Sequence, residues 1–203
     1  MSVATLELRW FFQERPEWFD KAAESAWLSE RSVRTDWYAP IADRNSSVKL
    51  RGVTEERGRE RQENVDATPS IESKILQSTD CHPIAADQSL MIESWVKHTL
   101  RTLDPSAKED AELKQLITEN WLPVRKERLL YQTPDSIQIE FATVELLGGT
   151  YWTHCIEAPT DFNAGNLVRW LGDSGQPGIA PTEVMTRNPQ ESWPSWLQTK
   201  MLV

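Results

Sequence analysis

Ala4-Thr5-Leu6-Glu7-Leu8-Arg9-Trp10-Phe11-Phe12 is the stretch on which the reading of the chain turns. Successive side chains on a strand point to opposite faces, so Leu6, Leu8 and Trp10 share one face while Thr5, Glu7 and Arg9 share the other. One such strand is ordinary; its weight lies in how often later segments repeat it. Same-face charges recur at Lys49 and Arg51, at Glu72 and Lys74, at Glu93 and Lys97 flanking Trp95, and at Lys126 and Arg128. Glu140 and Glu145 differ in parity and would share a face only across a bulge, while Glu157 falls in the last strand.

Working outward from residues 4–12, further strands are expected at 34–39, 46–51, 70–76, 90–98, 122–132, 136–147 and 150–158, with Gly148-Gly149 as a hairpin turn between the last two. Pro16 opens an amphipathic helix over 16–28, Pro105 precedes another at 107–117, and a third runs over 162–171 to end near Gly172. Residues 52–69 hold almost nothing apolar and read as a mobile loop. The segment 173–203 reads as a Pro- and Gly-rich loop followed by a short docking element around Trp193 and Trp196. These elements make one α+β domain over residues 1–203, and eight strands is a natural number for closing an antiparallel barrel.

The 203 residues carry a formal charge of −9, which argues against nucleic acid as a partner, because such binding needs a basic surface. Two cysteines cannot make a disulfide framework, and no run approaches the roughly 20 apolar residues of a membrane span. A soluble, cytoplasmic protein with no membrane partner is the expectation. The ten tryptophans point to aromatic packing clusters. Trp95 is the one placed beside a ligand, since it shares a face with Glu93 and Lys97.

A closed barrel that turned Leu6, Leu8, Val48, Leu50, Ile71, Ile75, Ile92 and Val96 outward would line its interior with the charged faces. Buried charges are costly unless they pair or bind something, and a phosphorylated anion held by Lys and Arg is the natural guest. The plain alternative leaves these faces on the solvent side of an open sheet. Cys81-His82 and His154-Cys155 could be drawn as a zinc set, but adjacent strand residues point to opposite sides and could hardly share one ion.

The order of these segments resembles the CYTH-like, or triphosphate tunnel metalloenzyme, superfamily. Thr5-Leu6-Glu7-Leu8-Arg9 stands at that family's Glu-x-Glu-x-Lys strand, and Val48-Lys49-Leu50-Arg51 is similar to its basic third strand. Ile71-Glu72-Ser73-Lys74 looks like its Glu-x-Lys strand, and Val124-Arg125-Lys126-Glu127-Arg128-Leu129-Leu130-Tyr131 is close to its Val-x-Lys-x-Arg-x-x-Tyr stretch. Ile156-Glu157-Ala158 sits where a late strand supplies metal-binding carboxylates. The resemblance implies an eight-stranded antiparallel tunnel barrel with flanking helices that binds triphosphate or a related small phosphorylated anion. It implies that Arg9, Lys49, Arg51, Lys74, Lys97, Lys126 and Arg128 clamp phosphate oxygens. Glu7, Glu145 and Glu157 would hold Mg²⁺ or Mn²⁺, with Glu72 or Glu140 in support, and Glu7 and Lys126 would be central to hydrolysis. Thr5, Arg9 and Cys155 depart from the family pattern, and loss of two carboxylates weakens the metal site. Two further readings therefore stand beside the hydrolase: a non-catalytic binding or scaffold protein, and a lipocalin-like barrel for another small ligand.

Overall fold

The computed structural model describes residues 2–19, 28–41, 43–53, 68–85, 88–172 and 190–201. The strands are β1 (Ser2–Phe12), β2 (Leu28–Tyr38), β3 (Ser46–Val53), β4 (Ser70–Ala85), β5 (Gln88–Thr102), β6 (Leu122–Gln132), β7 (Gln138–Leu146) and β8 (Gly149–Pro159). They close into one antiparallel barrel in the order β1-β5-β4-β3-β2-β6-β7-β8, with β8 returning to β1. The described helices are α1 (Lys108–Asn120), α2 (Ala164–Gly172) and α3 (Trp193–Met201). The eight-stranded barrel with flanking helices expected from the sequence is the architecture that forms.

Alternation decides what each strand buries. The outward side chains of β1, Leu6, Leu8, Trp10 and Phe12, join Ile139, Phe141 and Ile156 in a core beneath Leu167 and Trp170 of α2. Trp18 and Phe19 pack into the same core; residues 20–27 of the helix expected over 16–28 lie outside the described residues, and Leu28 begins β2. His154 belongs to this outer layer, with its ring stacked 5.6 Å from Trp10 and 4.5 Å from Phe141. Burial pushes its pKa down to about 3, so it sits there as a neutral aromatic. Cys155, the next residue, faces the interior, which removes the pairing that a zinc site would have needed.

A second outer core forms under α1, where Ile117 packs on Trp37, Leu50 and Leu103. Asp110 of that helix pairs with Arg101 and accepts the Asp104 N–H at 2.7 Å, which fixes the helix to the end of β5. The third cluster lies inside one end of the barrel. There Tyr38, Val124, Ala142, Val144 and Leu146 meet Trp193, Trp196 and Leu197 of α3. Ser192 caps α3, its Oγ accepting the Ser195 N–H at 3.3 Å, and the Glu191 N–H donates to the Arg9 carbonyl at 3.1 Å. The expected short docking segment is thus a helix that closes the barrel end. Residues 54–67, most of the loop expected over 52–69, and residues 173–189 lie outside the described residues.

Strand lengths are where the sequence misleads. β4 and β5 form a hairpin of 16 and 15 residues, although Gln77, Ser78, Thr79 and Asp80 are exposed and read as a polar connection. The backbone ladder continues to Ala85↔Gln88, and Ile84, Leu90 and Ile92 on its apolar face pack into the outer core while the polar residues face solvent. β2 starts at Leu28 rather than 34 because β6 offers it a pairing partner out to Tyr131. The β7–β8 turn shifts by one residue. Leu146 pairs with Gly149, and Leu147 and Gly148 form the turn with φ of 50° and 79°. Both values are positive, as a two-residue turn that follows the strand twist requires. Among the described residues no helix is long and apolar enough to cross a membrane.

Trp10→Ala, at a fully buried outer-core position, is expected to cost about 3–5 kcal/mol in urea unfolding. Val33→Ala, at an exposed position on β2, should fall within about 0.5 kcal/mol of the wild type in the same measurement.

Candidate functional site

The inward faces enclose a cavity of about 270 Å³. Its lining contains eight cations: Arg9, Arg34, Lys49, Arg51, Lys74, Lys97, Lys126 and Arg128. All seven sequence-predicted clamping residues are there, and Arg34 joins them. Glu7, Glu72, Glu140 and Glu157 line the same space, and fully buried Asp36 lies beneath it. Arg51 and Lys97, each about one-third exposed (38% and 34%), are the most accessible of the cations whose exposure bears on the pairing below. Lys126, Arg9 and Asp36 lie deepest, toward the end that α3 closes.

The charges divide into two networks and a separate pair. Along β4, β1, β7 and β6 an alternating chain runs from Lys74 to Arg128. Lys74 Nζ is 2.5 Å from Glu7, Arg9 Nε is 3.0 Å from Glu7, Arg9 Nη1 is 3.2 Å from Glu140, and Arg128 Nε is 2.6 Å from Glu140. Thr153 accepts from Arg9 as well, at 3.2 Å. These contacts are short and mutually satisfied. Burial alone would raise the Glu7 and Glu140 pKa values, but Lys74 and Arg9 for Glu7, and Arg128 and Arg9 for Glu140, hold both well below the usual carboxylate range.

The second network centres on Asp36. Lys49 Nζ approaches it at 3.3 Å, Arg34 Nε at 3.4 Å and Lys126 Nζ at 3.7 Å. Glu72 stands 3.7 Å from Lys49 and 3.3 Å from Arg51. Four cations here share two carboxylates at looser distances. Burial, reinforced by repulsion from Arg51, pushes Lys49 down to about 7, and burial with repulsion from Lys49 and Arg34 takes Lys126 well below its ordinary value. Asp36 itself stays ionised; burial opposes this, but Lys49, Arg34 and Lys126 together outweigh it. Away from both networks, Lys97 Nζ lies 2.6 Å from each Glu157 oxygen.

Aromatic rings support the deep ammonium groups. Lys126 Nζ lies 3.4 Å from the Trp193 ring centre, and donates to the Tyr38 hydroxyl at 3.0 Å. Lys74 Nζ sits 4.5 Å above Trp95. Trp95 is fully buried, and its indole N–H donates to Glu93 at 3.0 Å, so it underlies Lys74 and does not face the cavity. The tryptophan at the cavity is Trp193, which sequence reading assigns to packing.

The expected metal set is not assembled. No register shift interrupts β6–β7, so Glu145 faces outward, 52% exposed, and pairs with Arg125 at 2.6 Å. Glu7 and Glu157 are cross-strand neighbours, but their oxygens are taken by Arg9 and Lys74 and by Lys97. Among the described residues no cluster of three or more His, Cys, Asp or Glu is arranged to hold a metal ion. Cys155 stands opposite Arg9 where the resemblance would put a carboxylate, and burial pushes its thiol pKa well up, leaving it neutral. The donor set therefore does not fit a divalent metal ion.

No protein-family model matches the chain, and no curated protein matches it. Among solved structures it is similar to the S. pombe Pct1 RNA triphosphatase in complex with the Spt5 CTD. That alignment has 10% identity and a TM-score of 0.42, and covers 86% of this chain and 78% of that one. So distant a likeness carries no functional argument, and the reading rests on the lumen itself.

Asp36→Asn removes the counter-ion of three cations and should cost about 3–5 kcal/mol at pH 7. Asp36 has a depressed folded pKa, so its stabilisation is present above the unfolded value of about 4 and is lost as pH falls below it. Urea unfolding of both proteins from pH 7 to pH 3 should show the gap narrowing only below about pH 4.

Proposed function

We propose that the lumen binds a compact phosphorylated anion, triphosphate being the ligand the sequence resemblance suggests. The observation that carries this reading is the convergence of eight cations, from six strands, on one small cavity in a chain whose net charge is −9. Such concentration against an acidic background is hard to explain by folding alone, since buried ion pairs are weak sources of stability. Guanidinium and ammonium groups are the donors that phosphate oxygens take best, and an enclosed cavity strengthens those contacts.

Metal-assisted hydrolysis is the finer reading that the resemblance implies. The engagement of Glu7 and Glu157 by Arg9, Lys74 and Lys97 favours the non-catalytic alternative, an anion-binding protein. A lipocalin-like barrel for another small ligand is disfavoured by the lining, in which charged groups predominate.

Thermal unfolding with tripolyphosphate, ATP and sulfate, each with and without Mg²⁺, tests this reading. A bound anion must raise the melting temperature by mass action, so a concentration-dependent rise is expected. Phosphate release from tripolyphosphate should stay at background; sustained release would make the protein a phosphohydrolase. No shift with any polyanion overturns anion binding.

The pH dependence follows from Lys49, which faces Asp36, Arg34, Tyr38, Arg51, Glu72 and Lys126. Its pKa of about 7 means that an anion binding beside it at pH 8 must first draw a proton on to the amine. Sulfate, a dianion throughout, is expected to bind about tenfold more tightly at pH 6 than at pH 8 in calorimetry.

A further inference from the structure

We infer that the anion is held without a metal ion on the flank of the lumen formed by β2, β3 and β6, with Arg34 and Arg51 as its directional donors. The inference rests on the anion-binding reading above and assigns the ligand a class: the free anion, not its magnesium complex.

The two flanks differ in what they leave unsatisfied. On the β1–β7 side, Lys74, Glu7, Arg9, Glu140 and Arg128 form a continuous chain of close contacts, each cation already bonded to a carboxylate. On the β2–β3 side, Arg34, Lys49, Arg51 and Lys126 have only Asp36 and Glu72 between them. That side carries a formal surplus of two positive charges, which an anion of matching charge would neutralise.

The same side holds unused donors. The buried Nε–H of Arg51 lacks a hydrogen-bond acceptor among the described residues, that of Arg34 has only a loose ionic contact with Asp36 Oδ1 at 3.4 Å, and both arginines line the cavity. A buried guanidinium N–H without an acceptor is costly, and an acceptor arriving from the cavity removes that cost. Arg34 is on the same face of β2 as Asp36, two residues away, so the loose 3.4 Å contact from its Nε positions the guanidinium at the cavity. Mg²⁺ has no role in such a site. The charge that a metal would neutralise on a bound phosphate is met by the surplus cations, and Glu7 is the counter-ion of Lys74 and Arg9 on the far flank.

Calorimetry at pH 7 with inorganic sulfate and with tripolyphosphate, in EDTA and then in Mg²⁺, tests this. Wild-type protein should bind both anions in EDTA, and Mg²⁺ should weaken tripolyphosphate binding by competing for the free anion. Arg34→Gln and Arg51→Gln should each weaken sulfate by about tenfold or more, the loss of a charged hydrogen bond. Arg34→Lys, which keeps the charge and loses the fork, should recover only part of that loss. Glu145→Gln, at an exposed carboxylate outside the lumen, should change sulfate affinity in EDTA by less than about threefold, within half of one such bond. The wild-type comparison needs no variant to fold. Binding that requires Mg²⁺, or that Arg34→Gln and Arg51→Gln both leave intact, overturns the inference but keeps the lumen as an anion site. Absence of binding under every condition overturns both.

Discussion

A carboxylate buried without cations takes up a proton, and a lysine buried without carboxylates gives one up, so a charged lumen can exist only as a paired set. This pairing is the constraint on which the rest of the structure depends. Glu7 and Asp36, almost wholly buried, stay ionised because two and three cations respectively stand against them. Each partner comes from a particular strand, and the partners meet only if every strand keeps its register. One residue of slip on β1 would exchange Glu7 and Arg9 for Leu6 and Leu8, stripping Lys74 of its carboxylate and Glu140 of one of its two cations and exposing the outer core at once. Hydrophobic alternation and charge pairing therefore specify the same register.

What was legible in the sequence was this alternation, and its limits are physical. On β1, β3, β4 and β5 an apolar face opposes a charged face, which is why Glu7, Arg9, Lys49, Arg51, Lys74 and Lys97 could be assigned to one interior; on β6 both faces carry charge, and Lys126 and Arg128 were assigned as a same-face pair within the family-like stretch. β2 carried the same alternation, Arg34 and Asp36 against Val33, Thr35 and Trp37, but a strand expected only from residue 34 leaves out Val33 and shows opposite charges that need no further partner. Arg34 and Asp36, two of the most consequential lumen residues, went unassigned for that reason. Glu145 failed on parity, because placing it beside Glu140 needed a bulge that β7 lacks.

Other features could not have been read from local pattern at all. The extended hairpin of β4 and β5 exposes polar residues 77–80 on β4, while its apolar contacts come from Leu90 and Ile92 of the partner strand, so β4's own pattern does not announce it. Trp95 and Trp193 exchanged roles because side-chain direction alone does not say what lies above a ring. Lys74 covers Trp95, whereas α3, docked from the far end of the chain, brings Trp193 to the cavity. A tertiary contact between the first strand and residues 190–197 decides this, and no periodicity encodes it.

The division of charge also bears on how an anion would enter. The exterior is acidic while the cavity concentrates cations, with Arg51 and Lys97 its more accessible members, so the field draws a small anion inward most strongly once it reaches the lumen. Deeper in, Lys126 against Trp193 and Tyr38 forms a floor that is positively charged only while its ammonium is protonated. An incoming anion stabilises that proton, just as Asp36 does in part already. The buried lysines would thereby couple occupancy to charge, since an anion bound beside Lys49 or Lys126 would favour the protonated amine against the burial that disfavours it. Because the Glu7 chain is satisfied independently, this exchange can occur without dismantling the pairs that fix the barrel's register.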